Sequence, residues 1–258
     1  MWLDPDLYDI ENCEDPPFDL AFWEGVVRDV APRRMLELAA GTGRLTVPLA
    51  QLGVVSELVA LDNSAPFLER LHARVDGESL GSVVTIVEGL MQEPPVEGLF
   101  ELIAVPFNSL AYLIAPEDRH DCFRAVRELL GPGGRFAFDV IQPRYDLLAE
   151  AMQPVPPLRI DIDHVNPVPG VTRLLRSYYD VYDPMTQTLR STNRYEIHRT
   201  GGEVEHRITD LDWHIYFPEE LDLLLAAAGL RAVECYGDYD RSPWSATSRR
   251  YLWVAEAR

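Results

Sequence analysis

Between residues 35 and 141, short apolar runs alternate with helical stretches, and this rhythm constrains the fold more than any other feature. Met35-Leu36-Glu37-Leu38-Ala39-Ala40 reads as a buried strand. A Gly41-Thr42-Gly43 turn and a helix from Arg44 to Ala50 follow, with Pro48 near the helix start, where proline is tolerated. Glu57-Leu58-Val59-Ala60-Leu61 is the next strand and ends in Asp62. Ser64 is placed to cap the following helix, with Pro66 in its first turn. Val83–Val87 and Leu102–Val105 are further strands. A helix over residues 117–130 carries Phe123, Val126 and Leu130 on one face, and Gly131-Pro132-Gly133-Gly134 stops it before a fifth strand, Arg135–Ile141. Strands alternating with helices imply a parallel α/β sheet.

Upstream, Phe18, Phe22, Val26 and Val30 recur every fourth residue and predict a helix with one apolar face. The pattern changes near Met152. After a proline-rich joint (Pro154, Pro156, Pro157), three β-rich segments, 173–182, 189–199 and 204–217, are separated by turn sequences and read as an antiparallel meander. A helix from Pro218 to Ala228 and strands near 232–236 and 251–255 return to the α/β rhythm. The expected organisation is a seven-stranded, mostly parallel sheet with helices on both faces, from residues 1–155 and 217–258. Residues 156–216 are expected to form an antiparallel cap, a lid over a second substrate.

All 23 basic residues are arginine. The lack of lysine excludes a lysine Schiff base, a Walker A lysine and the Tyr-x-x-x-Lys pair of short-chain dehydrogenases. A formal charge of −19 opposes a nucleic-acid partner and mildly favours a cationic ligand. Cys13, Cys122 and Cys235 have neither disulfide nor metal-ligand spacing, which fits a cytoplasmic setting. The acidic start, Met-Trp-Leu-Asp-Pro-Asp, is unlike a signal peptide, and no apolar run reaches the ~20 residues that span a bilayer. His72, His120, His164, His198 and His206 show no ligand spacing, so no metal site is expected.

A glycine turn between a strand and a helix N-terminus presents backbone N–H groups to a ligand. Asp62 ends the next strand, about 20 residues after the turn, where a carboxylate can accept from both ribose hydroxyls. This combination points to an adenosine-containing cofactor. A dinucleotide needs a third small residue for close helix packing, and that position holds Thr46. Glu37, inside the first strand, would repel a phosphate but suits an ammonium group. S-adenosylmethionine, with an ammonium, a sulfonium and no phosphate, fits better than NAD.

The sequence resembles the class I S-adenosylmethionine-dependent methyltransferases. Leu36-Glu37-Leu38-Ala39-Ala40-Gly41-Thr42-Gly43-Arg44 is similar to the family's first motif, Leu61-Asp62-Asn63-Ser64 to the ribose-binding second, and Val87-Glu88-Gly89-Leu90-Met91 to the adenine-binding third. Val105-Pro106-Phe107-Asn108-Ser109-Leu110 resembles the fourth, below the transferred methyl, and Leu130-Gly131-Pro132-Gly133-Gly134 the turn before strand five. The resemblance implies a Rossmann-like fold, S-adenosyl-L-methionine as cofactor and S-adenosyl-L-homocysteine as product. It implies cofactor contacts from Glu37, Ala39, Gly41, Gly43, Arg44, Asp62, Asn63, Gly89, Leu90, Met91, Pro106 and Asn108, and from Tyr8 folded over the cofactor. Two positions depart from the pattern. Ala39 replaces the first glycine, which is tolerated if its φ is negative, and Leu90 stands where many members carry aspartate. Asp15-Pro16-Pro17-Phe18 matches a signature of DNA amino-methyltransferases but follows no strand, so it reads as helix-entry chemistry.

Methyl transfer from a sulfonium is an in-line displacement; a neutral amine needs alignment, whereas an alcohol or carbon acceptor calls for a base. His214 is the candidate base. Strand alternation puts it with Asp210, Asp212 and Tyr216 on a polar face that is either solvent or pocket wall, opposite Leu211, Trp213, Ile215 and Phe217. Tyr112, after the fourth motif, is a second candidate catalytic residue, and Tyr112, Trp213, His214, Tyr216 and Trp244 are candidate acceptor contacts. The expected function is methylation of a small molecule at N, O or activated C by a cytoplasmic monomer or homodimer, without nucleic acid or membrane as partner. A dinucleotide-dependent oxidoreductase and an inactive S-adenosylmethionine-binding regulator are the alternatives.

Overall fold

The computed structural model describes residues 4–12, 14 and 16–258. Cys13, Asp15 and residues 1–3, and with them part of the cysteine count, of the Asp-Pro-Pro reading and of the acidic start, lie outside the described residues. The chain divides into two compact units: residues 16–142 with 216–258, and residues 1–15 with 143–215.

The first of these is built on a seven-stranded sheet. Its strands are β1 (Arg34–Leu38), β2 (Glu57–Asp62), β3 (Val84–Glu88), β4 (Phe100–Val105), β5 (Leu130–Ile141), β10 (Leu230–Tyr236) and β11 (Arg250–Ala257). The order is β10-β11-β5-β4-β1-β2-β3. β11 is antiparallel to both neighbours, and every other pairing is parallel. Strand alternation sends Leu36, Leu38, Ile103, Val105, Phe136 and Phe138 to one face, where α5 (Pro116–Leu129) and α7 (Pro218–Ala227) cover them. Met35, Leu58, Ala60, Leu102 and Ala104 point to the other face, under α2 (Leu20–Val30), α3 (Thr46–Gln51) and α4 (Ala65–Gly77). Burial on both faces is why these strands read as continuous apolar runs. The chain runs from β1 outward to β2 and β3, then returns to β4 on the other side of β1. That reversal makes a switch point at the carboxyl ends of β1 and β4, where open α/β sheets bind ligands.

The second unit holds an antiparallel sheet of β6 (Arg159–Val168), β7 (Val171–Asp183), β8 (Thr188–Arg199) and β9 (Val204–His214), in sequential order. α1 (Pro5–Glu11) packs Leu7 and Ile10 against Val171, Leu174, Tyr195 and Ile197 of this sheet. The Tyr195 hydroxyl donates to Glu11 at 2.9 Å, and Arg176 pairs with both Glu11 and Asp161.

Several local expectations need correction. The meander has four strands; β6 escaped notice because it is an edge strand with Ile160 and Val165 exposed and with Pro167 inside it, as edges tolerate. α1 and α6 (Tyr145–Ala151) were not expected, although Asp4 caps α1 by accepting from the Asp6 and Leu7 N–H groups, with Pro5 next. Phe18 precedes α2 and is exposed, so it does not continue that helix face. Ser64 occupies the N-cap of α4 but makes no capping bond with its side chain. The helix after the glycine turn starts at Thr46 rather than Arg44.

Candidate active site

The loop after β1 is left-handed at Ala39 (φ +59°), Gly41 (+60°) and Gly43 (+85°). The condition of a negative φ at Ala39 is not met. An L side chain in this region is strained by roughly 1–2 kcal/mol, and the loop's own bonds hold it. Ala40 N–H donates to the Leu61 carbonyl (2.9 Å) and Gly43 N–H to the Ala40 carbonyl (3.0 Å). At Gly41 a side chain would meet only Phe67, 3.8 Å away, whereas at Gly43 a Cβ would lie 2.4 Å from Leu71 Cδ1.

Asp62 ties the adjoining loops together. Gly41 N–H donates to its Oδ2 (2.8 Å), Ser64 N–H to its Oδ1 (2.9 Å), and Gly89 N–H to its backbone carbonyl (3.0 Å). The carboxylate is mostly buried, and burial raises its pKa against the lowering effect of the Ser64 and Gly41 N–H bonds. Asn63 is exposed beside it. Beyond β3, Leu90 is exposed and its carbonyl accepts from Glu93, while Met91 packs on the sheet core.

Glu37 is fully enclosed in β1, and its Oε2 accepts from the Thr46 hydroxyl at 2.7 Å. Burial pushes its pKa up to about 7; the Thr46 bond and Arg44 oppose this, and Asp19 and Asp62 add to it. Arg44 makes a bidentate pair with the fully buried Asp19 (2.5 and 2.8 Å) and lies over the Phe107 ring at 4.3 Å. Asp19 and Asp62 outnumber the one guanidinium among them even where Glu37 keeps its proton.

At the end of β4, Pro106 is buried and its carbonyl accepts from Ser109 Oγ at 2.6 Å. Phe107 and Asn108 are both left-handed, at φ +60° and +58°. Their N–H groups donate to the two oxygens of Asp139 on β5, at 2.6 and 3.1 Å, and Asn108 Oδ1 accepts from Ile141 N–H. The Tyr239 hydroxyl donates to Asp139 Oδ2 at 3.0 Å. Tyr112 ends a short 3-10 helix, Ser109–Tyr112, and is partly exposed. Asp19, Thr46 and Asp139 carry no motif that marks them as members of this site, and Tyr239, a late-loop aromatic like Trp244, meets it through Asp139. The legible signal was Asp139, a lone acid in the apolar strand Phe136-Ala137-Phe138-Asp139-Val140.

The remaining candidates belong to other elements. Tyr8 sits in α1, where its carbonyl accepts from Asn12. Trp213 and His214 are the last residues of β9, and His214 is buried along with Leu211 and Ile215. Its solvent alternative therefore falls. The strand ends there, so the two-residue period does not reach Tyr216. That residue is 1% exposed in the sheet core, with its hydroxyl donating to the Leu110 carbonyl at 3.0 Å, and it is corrected from acceptor contact to core residue. Trp244 is partly exposed, packs edge-on against Tyr251 and donates its Nε1–H to Gln142. Among the described residues no group of His, Cys, Asp and Glu is placed to hold a metal ion, and no helix is long and apolar enough to cross a membrane.

A family model described as a methyltransferase domain matches residues 35–134, the stretch that carries β1, both left-handed turns and Asp62. Residues 35–134 belong to a methyltransferase domain, of the class I S-adenosylmethionine-dependent kind. Among solved structures, this chain resembles CcbJ from Streptomyces caelestis, with 28% identity, a TM-score of 0.76 and coverage of 94% of this chain and 90% of that one. It shares its fold with the glycopeptide N-methyltransferase MtfA solved with S-adenosyl-L-homocysteine (21% identity, TM-score 0.58, coverage 91% and 87%). It is 26% identical over 149 residues to the cypemycin N-terminal methyltransferase of a Streptomyces species. That match covers 54% of this chain and 58% of the relative, so the chain spans less than two thirds of that relative's length.

The cofactor of this family is S-adenosylmethionine, and the residues present suit it. The carboxylate excess of Asp19 and Asp62 complements a sulfonium and an ammonium and would repel a pyrophosphate. Thr46, at the start of α3, bonds Glu37 where a dinucleotide fold keeps a small residue against its phosphates.

Proposed function

We propose that this protein transfers the methyl group of S-adenosylmethionine to a small-molecule acceptor, with an amine nitrogen as the acceptor atom, in specialised metabolism. The Gly41 N–H bond to Asp62 Oδ2 carries the reading, because it brings the first glycine loop and the ribose-binding acid together at the switch point. In this reading Asp62 receives the ribose hydroxyls and the Gly41–Gly43 loop lets the cofactor approach the backbone. Glu37 supplies an acid at the methionine end that a cationic ammonium would draw into its charged form, and the Pro106–Asn108 turn borders the reacting methyl. When bound, the cofactor supplies an electrophilic methyl on a sulfonium.

Three considerations support nitrogen. A neutral amine already presents a lone pair and needs alignment rather than a base. The net charge of −19 and the carboxylate excess draw amines and repel phosphorylated partners. The cypemycin relative is, by its name, an N-terminal methyltransferase. Tyr112, Trp213, His214 and Trp244 are kept as candidate acceptor contacts, with His214 as the base should the acceptor be a hydroxyl.

The test has two stages. Calorimetry is expected to show one site for S-adenosylhomocysteine and no binding of NAD. A panel of amino, hydroxy and phenolic compounds, followed by release of S-adenosylhomocysteine, is then expected to give turnover on amines. Binding of NAD in place of the nucleoside would sink the cofactor assignment, and turnover confined to hydroxyl or carbon acceptors would sink the nitrogen assignment.

A further inference from the structure

We propose that Asp139 is a positioning residue for methyl transfer, holding the Phe107–Asn108 turn in the left-handed shape that borders the reacting methyl. The inference rests on the proposed function and deepens it. Two successive non-glycine residues in the left-handed region are disfavoured and persist only where their surroundings over-determine them. Here the surroundings act from both sides. Below the turn, the Asp139 carboxylate takes both N–H groups, one on each oxygen. Above it, Arg44 lies over the Phe107 ring, and Asp19 fixes that guanidinium. Asn108 Oδ1 locks the turn to the Ile141 N–H of β5.

A completely buried carboxylate in an apolar strand is a poor choice for packing alone, because leucine would fill such a site without a desolvation cost. What the carboxylate provides is a rigid pair of acceptors for two N–H groups that no strand neighbour can serve. The charged and titratable groups facing it are Arg250 of β11, Tyr239 after β10 and Asp19 before α2. Burial raises the Asp139 pKa to about 6, with Arg250 opposing and Asp19 adding to the rise. The clamp is therefore charged above that pH and weakens below it.

The test uses the full chain with S-adenosylhomocysteine as the probe, which needs no acceptor. Backbone amide NMR reads the turn directly. In the unmodified protein the Phe107 and Asn108 amides are expected to shift together with a midpoint near 6, and affinity for the probe is expected to fall below it. In Asp139→Asn both pH effects vanish and affinity drops roughly tenfold, since one donor loses a charged acceptor. Phe107→Gly in that background relieves the backbone strain and restores part of the affinity. Tyr239→Phe, which removes one donor and leaves the core intact, raises the midpoint. Running all variants in a Glu37→Gln background removes the titration of Glu37. Unchanged affinity and unchanged amide positions in Asp139→Asn overturn the proposal, and so does an unmoved midpoint in Tyr239→Phe should Asp139→Asn fail to fold. A native chain that binds no S-adenosylhomocysteine at all overturns the cofactor reading and this inference with it, a result told apart by the unmodified protein alone.

Discussion

Gly43 gives the sharpest test of the first loop, because its neighbour Gly41 serves as an internal control. Both residues are left-handed, so alanine at either position meets the same backbone penalty of roughly 1–2 kcal/mol. Alanine also restricts the unfolded chain, which returns about 0.4–1 kcal/mol. At Gly41 nothing more is added, since the new methyl would meet only Phe67 at 3.8 Å. At Gly43 the methyl would lie 2.4 Å from Leu71 Cδ1, and Leu71 is fully buried on the inner face of α4, so it cannot swing into solvent. Overpacking of this kind adds roughly 1–3 kcal/mol. Gly43→Ala should therefore be destabilised by about 2–3 kcal/mol and Gly41→Ala by less than about 1 kcal/mol. Urea unfolding followed by the fluorescence of the buried Trp23 and Trp253 reads both. Adding Leu71→Ala should hurt Gly43→Ala less than it hurts the unmodified chain, with a favourable coupling of about 1–2 kcal/mol. Equal losses at the two glycines, or purely additive behaviour with Leu71→Ala, would refute the steric reasoning.

Other perturbations follow from the same contacts. Asp19→Ala leaves Arg44 enclosed without its bidentate partner and should cost about 3–5 kcal/mol, more than Asp19→Ala with Arg44→Met, as urea midpoints would show. Tyr216→Phe deletes one buried hydrogen bond and should lower stability by about 1 kcal/mol with affinity for S-adenosylhomocysteine unchanged; a lost affinity would return Tyr216 to the site. Glu37 has a pKa raised to about 7 from 4.5, so the folded chain holds a proton that the unfolded chain has released. Its contribution to stability is complete below about 4.5 and is lost as pH rises through about 7, a change of a few kcal/mol that Glu37→Gln should remove from the denaturation profile.

The parallel sheet was legible because its strands are buried on both faces. Leu36 and Leu38 serve one layer and Met35 the other, so the apolar runs are long enough to be seen without an alignment. The antiparallel unit was harder. β6 is an edge strand whose alternating Ile160 and Ile162 are interrupted by acids and by Pro167, which weakens the two-residue signal. The alternation that placed His214 and Tyr216 on one face assumed that the strand continued to Phe217. It ends at His214, and no local feature of the residues beyond marks that end except Pro218. For α1 the signal is present in the chain, since Asp4 before Pro5 marks an N-terminal helix start.

The cofactor loop and Asp62 were legible for a different reason: their partners are fixed by a short, ordered strand–turn–helix path, so spacing alone brings Gly41 and Asp62 within 2.8 Å. Asp19 and Asp139 have no such path. Asp19 meets Arg44 across 25 residues, and Asp139 meets Phe107 and Asn108 across more than thirty. Each contact exists only because β4 and β5 are neighbours in the sheet or because α2 lies over the β1 loop. What the sequence does disclose is the anomaly: a carboxylate among phenylalanines must find donors, whatever they are. The departure at Ala39 shows the same asymmetry in reverse. A negative φ was the inexpensive solution for alanine, yet the loop keeps +59° because the Ala40 and Gly43 hydrogen bonds on its far side demand that path. Local preference was overruled by a network of backbone partners at the switch point, the region where a ligand site needs a fixed backbone more than an unstrained one.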